Sequence, residues 1–144
     1  MKIKGVIITH GELGKAIIDV ADSILERKSD IECFRFEWDE DGTIIEKKIR
    51  VFLNKNKDSG IIIFTDMFGG SPANLSLRFN RPNLEIITGI NLPGILKFLT
   101  YKEKKISFKE LLKIVRDGAR DGISIISEYL GDRKNGKRED QNNK

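Results

Sequence analysis

One histidine occurs in 144 residues, and it ends an apolar run: Val6-Ile7-Ile8-Thr9-His10-Gly11-Glu12-Leu13-Gly14. A neutral imidazole is a competent nucleophile near pH 7, because its unperturbed pKa is about 6.5. A second stretch with chemical potential runs from Phe64 to Asn74, Phe-Thr-Asp-Met-Phe-Gly-Gly-Ser-Pro-Ala-Asn. Asp66 offers a carboxylate that could fix the imidazole tautomer and leave the other ring nitrogen free to attack. Gly69 and Gly70 permit close backbone approach, and the N–H groups of a helix start attract an anion. Ser71 followed by Pro72 reads as an N-cap and a proline at the first helical position. Histidine, carboxylate and anion cradle together suggest phosphoryl chemistry, with Gly69, Gly70 and Ser71 as the phosphate-binding candidates. The glycine pair also reads as a plain turn.

Other chemistries lack their residues. Gly69-Gly70-Ser71-Pro72-Ala73 misses the second glycine of a nucleophile elbow, so Ser71 is not read as a hydrolase serine. Gly11 and Gly14 fall short of the three-glycine dinucleotide fingerprint, with only Asp30 or Glu32 placed to hold a ribose, and no glycine-rich segment ends in Lys followed by Ser or Thr. The single Cys33 forms no internal disulfide, and no CxxC pattern or Cys/His cluster offers zinc ligands. No metal and no cofactor are expected. The net charge of +4 is spread over mixed-sign segments such as residues 131–144, with no basic stripe interleaved with aromatics, which argues against nucleic acid. No apolar run reaches the length of a membrane span, and the N-terminus lacks the pattern of a signal peptide. A reducing, cytoplasmic setting without membrane insertion is expected.

The elements that must position these residues follow from periodicity. Residues 3–8 read as a buried strand, and Leu13, Ala16, Ile17, Val20, Ala21, Ile24 and Leu25 as one apolar helical stripe. Residues 31–36 make a second strand, and Thr43 with Glu46 forms a capping-box pattern before a helix with Ile45, Ile49, Phe52 and Leu53 inside. Residues 60–65 are the strongest strand signal, followed by a helix over about 72–79. A fourth strand spans 84–88. Asn91 caps a helix to about Tyr101, and Ser107 with Glu110 opens a longer one. The alternation predicts an α/β fold: a doubly wound, mainly parallel four-stranded sheet of order 2-1-3-4 with helices on both faces. Strands one and three are then neighbours at the reversal point, where ligands bind beyond the carboxyl ends, and His10 meets Asp66 there. A single domain over 1–130 and a polar tail over 131–144 complete the expected organisation.

On Ile-Thr-His-Gly at 8–11, on Phe64 to Asn74, and on Ile-Thr-Gly-Ile-Asn-Leu-Pro at 87–93, the sequence resembles the mannose-type enzyme IIA proteins of the bacterial phosphoenolpyruvate-dependent sugar phosphotransferase system. The likeness covers about residues 1 to 130. It implies a phosphotransferase relay: His10 accepts a phosphoryl group from the histidine-containing phosphocarrier protein and passes it to enzyme IIB, and Asp66 matches the carboxylate beside that histidine. It also implies a homodimer, joined in some members by a C-terminal strand that crosses to the partner; residues 131–144 show no alternating apolar pattern of that kind. Two other readings stay open. One is a phosphorylation-dependent regulatory or binding module of the same fold. The other is a flavodoxin-like cofactor binder, which would need a pocket for an aromatic ring.

Overall fold

The computed structural model describes residues 1–38 and 42–131. Four strands, β1 (Ile3–His10), β2 (Glu32–Phe36), β3 (Gly60–Thr65) and β4 (Leu84–Thr88), form one sheet of order β2-β1-β3-β4 in which every pair is parallel. This is the expected order. Between and after them run α1 (Leu13–Leu25), α2 (Thr43–Lys55), α3 (Ser71–Ser76), α4 (Leu92–Tyr101) and α5 (Phe108–Asp121). Residues 126–131 add a further helical turn. The remainder of the polar tail expected over 131–144 lies outside the described residues.

The two central strands are buried on both faces, and their side chains alternate between two cores. Ile3 and Ile7 of β1 with Ile62 and Phe64 of β3 pack under α1, α4 and α5, where Phe98 meets Phe64 edge to face. Val6, Ile8, Ile61 and Ile63 point the other way, onto Ile45, Ile49 and Leu53 of α2 and onto Leu75 and Phe79. This two-sided packing holds the carboxyl ends of β1 and β3 side by side.

Three local expectations shift. In α1 the inner face is Gly14, Ile18 and Ala21, with Ile17 and Leu25 half-buried, while Leu13, Val20 and Ile24 are exposed. The predicted stripe was wider than the surface the sheet covers, so part of it faces outward. In α2 the N-cap is Gly42, at φ 76°, and Thr43 is already helical. Glu46 does not close a capping box; it pairs with Arg50 and Arg78. In α3 the N-cap is Gly70, Ser71 opens the helix and Pro72 is second, so the cap lies one residue earlier than expected. The helix is also shorter than the predicted 72–79. Asn91 and Ser107 do cap α4 and α5, accepting from the N–H of Gly94 and Glu110 respectively.

Candidate active site

The strand β1 ends at His10, and the chain must turn at once to lay α1 back on the sheet. Gly11 makes that turn at φ 51°, donating its N–H to the Phe36 carbonyl. Three residues on, a Cβ on Gly14 would lie 2.6 Å from Ile7 Cγ2 and 3.0 Å from Thr9 Oγ1. Only glycine lets the helix start this close to the strand, and its N–H donates to the buried Thr9 hydroxyl at 2.8 Å. The two glycines after the histidine are therefore what fixes the end of β1, and with it the imidazole.

From β3 comes the carboxylate. Asp66 Oδ2 accepts from the backbone N–H of His10 at 2.9 Å and contacts its ring Nδ1 at 2.7 Å, and Oδ1 accepts from the Met67 N–H at 3.0 Å. The side chains of His10 and Asp66 are only 16% and 10% exposed. Burial works against the charge of Asp66, but the hydrogen bonds from the His10 backbone and ring and from Met67 outweigh it and hold the carboxyl below its ordinary range. An ionised carboxylate only accepts, so in the neutral ring Nδ1 is the protonated nitrogen and Nε2 carries the free lone pair. The predicted pairing of His10 with Asp66 is thus present, and it selects one ring nitrogen.

The glycine turn reaches the same ring. Gly69 adopts φ 79°, and a Cβ placed on Gly70 would stand 3.3 Å from His10 Cε1. Ser71 is exposed at the first position of α3, and Pro72 has no N–H, so the donors of that first turn are few. The aromatic surroundings of the ring were not expected from the sequence. Trp38 stacks on the imidazole at 4.5 Å between centroids and 18° between planes, and Phe36 meets it edge-on at 6.0 Å. The signal was available in the strand order: Phe36 pairs with His10 in register, so the residues just after β2 must fall beside it. Met67 and Phe68, just after Asp66, add exposed apolar surface.

A separate cavity lies between β4 and α5, lined by Ile87, Leu112 and Arg116 among others. Among the described residues no group of three or more His, Cys, Asp or Glu could hold a metal ion, and no helix is long and apolar enough to cross a membrane. Cys33 is half-buried, and burial pushes its thiol up, which leaves it a poor nucleophile.

The family model described as PTS system fructose IIA component matches residues 4–116. The chain belongs to this family. The resemblance to mannose-type IIA proteins is borne out by a relative as well: the PTS system mannose-specific EIIAB component of Escherichia coli K12 is 27% identical over 129 residues. That match takes in 88% of this chain but 40% of the relative, so the chain spans less than half the length of the curated proteins it matches. Solved IIA structures share the fold. The PTS IIA protein associated with the fucose utilization operon of Streptococcus pneumoniae superposes with a TM-score of 0.77 at 21% identity, over 90% of this chain and 97% of that one. The mannose/sorbose specific IIA subunit from Enterococcus faecalis gives 0.77 at 16% identity, over 87% and 95%.

Proposed function

We propose that this IIA-family chain is a cytoplasmic phosphocarrier of sugar uptake, in which His10 accepts a phosphoryl group through Nε2 from the histidine-containing phosphocarrier protein and passes it to enzyme IIB. The observation that carries the proposal is the Asp66–Nδ1 contact, which leaves Nε2 as the one nucleophilic nitrogen of the chain's one histidine. In the transfer, the Nε2 lone pair attacks phosphorus while the donor's P–N bond breaks and returns its electron pair to the donor ring. The ring that receives the group becomes positively charged, and the Asp66 carboxylate, already ionised, offsets that charge without moving a proton. Phosphoryl transfer asks mainly for alignment and charge stabilisation, and the Asp66 contact favours both. The glycine turn from Gly69 to Ser71 is the part of the wall that an incoming phosphoryl group would meet.

Exposed apolar surface beside the site suits a donor and an acceptor that are themselves proteins. Leu13, Val20 and Ile24 extend an apolar strip along α1 from the turn that holds His10, which favours docking of these partners. Ile123, Ile126, Tyr129 and Leu130 leave a separate apolar surface at the far end of the described chain, and this favours a homodimer, testable by sedimentation equilibrium. Reconstitution with phosphoenolpyruvate, enzyme I and the phosphocarrier protein should place one acid-labile phosphate on the wild type and none on a folded His10→Ala variant. Undiminished labelling of that variant overturns the reading. Label that reaches His10 but never passes to enzyme IIB would favour the regulatory module instead.

A further inference from the structure

Trp38 is the only tryptophan of the chain, it is 83% exposed, and yet one face of its indole lies flat on the imidazole of His10. A large aromatic that wets most of its surface gains little from burial, so the hydrophobic effect does not explain its position. What the stacking does is add a further restraint on the ring. Asp66 holds Nδ1, the Gly70 backbone stands beside Cε1, Phe36 meets an edge, and the indole covers one face. Nε2 is the ring nitrogen that Asp66 does not hold. An indole face also attracts positive charge, and it does so more strongly than any other aromatic.

We propose that Trp38 is a positioning residue for phosphoryl transfer: it fixes the plane of the His10 ring with Nε2 outward, and its π face stabilises the ring cation that forms as the N–P bond is made. The inference rests on His10 being the phosphoryl acceptor. It balances without any further reactant, because the group arrives from the donor, the electron pair of the broken P–N bond stays with the donor, and the Nδ1 proton remains against Asp66. It also makes Trp38 a reporter, since the one indole and the one imidazole of the chain are in contact.

The test compares wild type with Trp38→Phe, which keeps a π face, and Trp38→Leu, which keeps only apolar bulk. Proton NMR of the single histidine should show its ring protons shifted upfield by the indole in the wild type, and relaxed toward ordinary values in Trp38→Leu. Labelling is then followed with phosphoramidate, a small donor that releases ammonia and needs no docking surface. Trp38→Leu should accept phosphate about three- to thirty-fold more slowly, Trp38→Phe should recover most of that loss, and all three should melt alike. Wild-type tryptophan emission should change on phosphorylation, and His10→Ala should show neither label nor change. Equal phosphoramidate rates in all three proteins overturn the proposal even if the protein donor discriminates among them, since Trp38 would then be a docking residue. Label persisting in His10→Ala would instead overturn the assignment of the acceptor.

Discussion

Two aspartates stand at opposite ends of the same sheet, and both are held ionised below the ordinary carboxylate range. Asp30, at the amino ends of the strands, pairs with Lys4 at 2.6 Å and with Lys102, whose side chain is only 6% exposed. Burial opposes its charge, but the hydrogen bonds and charges of Lys102 and Lys4 prevail and bring it to about 2. Asp66, at the carboxyl ends, owes its charge to two backbone N–H groups and an imidazole. The partners make the difference. An ammonium donates its protons and has no lone pair to offer, so the Asp30 cluster ties β1 to the segments before β2 and after α4. The imidazole has a second nitrogen, so under the proposed function the same kind of clamp at Asp66 leaves Nε2 as the nucleophile. One electrostatic device gives cohesion at one end and, under the proposed function, a reactive group at the other.

The sharpest way to break this comparison is to remove each charge and ask which property falls. At Asp66 the rate should fall. Asp66→Asn keeps an acceptor for one donor, but its NH2 must face either His10 or the Met67 N–H, both of which donate to the native carboxylate. With a charge-assisted hydrogen bond worth roughly 1.5–3 kcal/mol, initial labelling from the phosphorylated carrier should slow about ten- to a hundred-fold. Asp66→Ala should be no faster, and both should stay folded. Wild-type rates in the folded variants would reduce Asp66 to a loop-holding role.

At Asp30 the stability should fall and the rate should hold. Asp30→Asn leaves the nearly buried Lys102 with Glu103 at 3.6 Å as its remaining ion-pair partner. Exposed ion pairs contribute roughly 0.2–1 kcal/mol, and stranding a buried cation costs more, so a net loss of about 1 kcal/mol is expected. For a domain of this size that lowers the melting temperature by roughly 3–5 °C. Labelling that slowed in step with the loss of stability would show that the two ends of the sheet are coupled, and the division drawn between them would fail.

Much of this arrangement was legible before any coordinates, and the reasons are local. The runs at 60–65 and 84–88 are strands because apolar β-branched residues fill a sheet covered on both faces, and the alternation with helices leaves few topologies to choose from. Given the order 2-1-3-4, the meeting of His10 and Asp66 follows from position alone. What stayed hidden depends on how one surface lies against another. The apolar stripe of α1 does not say which third of its circumference the sheet will cover, so Val20 and Ile24 were placed inside and lie outside. Gly42 and Gly70 displaced Thr43 and Ser71 as caps because a glycine ahead of a helix offers the chain another way in, and periodicity is blind to that choice. Trp38 belongs to no element, and only the register of β2 against β1 brings it to the histidine.

Acid should sharpen the comparison by its smallest effect. For a carboxyl whose folded-state pKa lies near 2 against about 3.9 when unfolded, the unfolded chain binds more protons between those values. Stability therefore rises with pH across that window; the contribution of Asp30 is complete above about pH 4 and is lost as pH falls through about 2. Asp66, also depressed, acts in the same direction. The Asp30 carboxylate is 43% exposed, so solvent and salt screen its pairs and the full pKa difference does not appear as stability. The melting difference between wild type and Asp30→Asn should be largest at pH 5–7, shrink from about pH 4 downward, and shrink at neutral pH when roughly 1 M salt cuts the screening length to about 3 Å. A difference that persisted unchanged at pH 2 would mean that asparagine fails by packing or hydrogen-bond geometry. The cohesive end of the sheet would then owe nothing to charge, and the likeness between the two aspartates would stop at their pKa values.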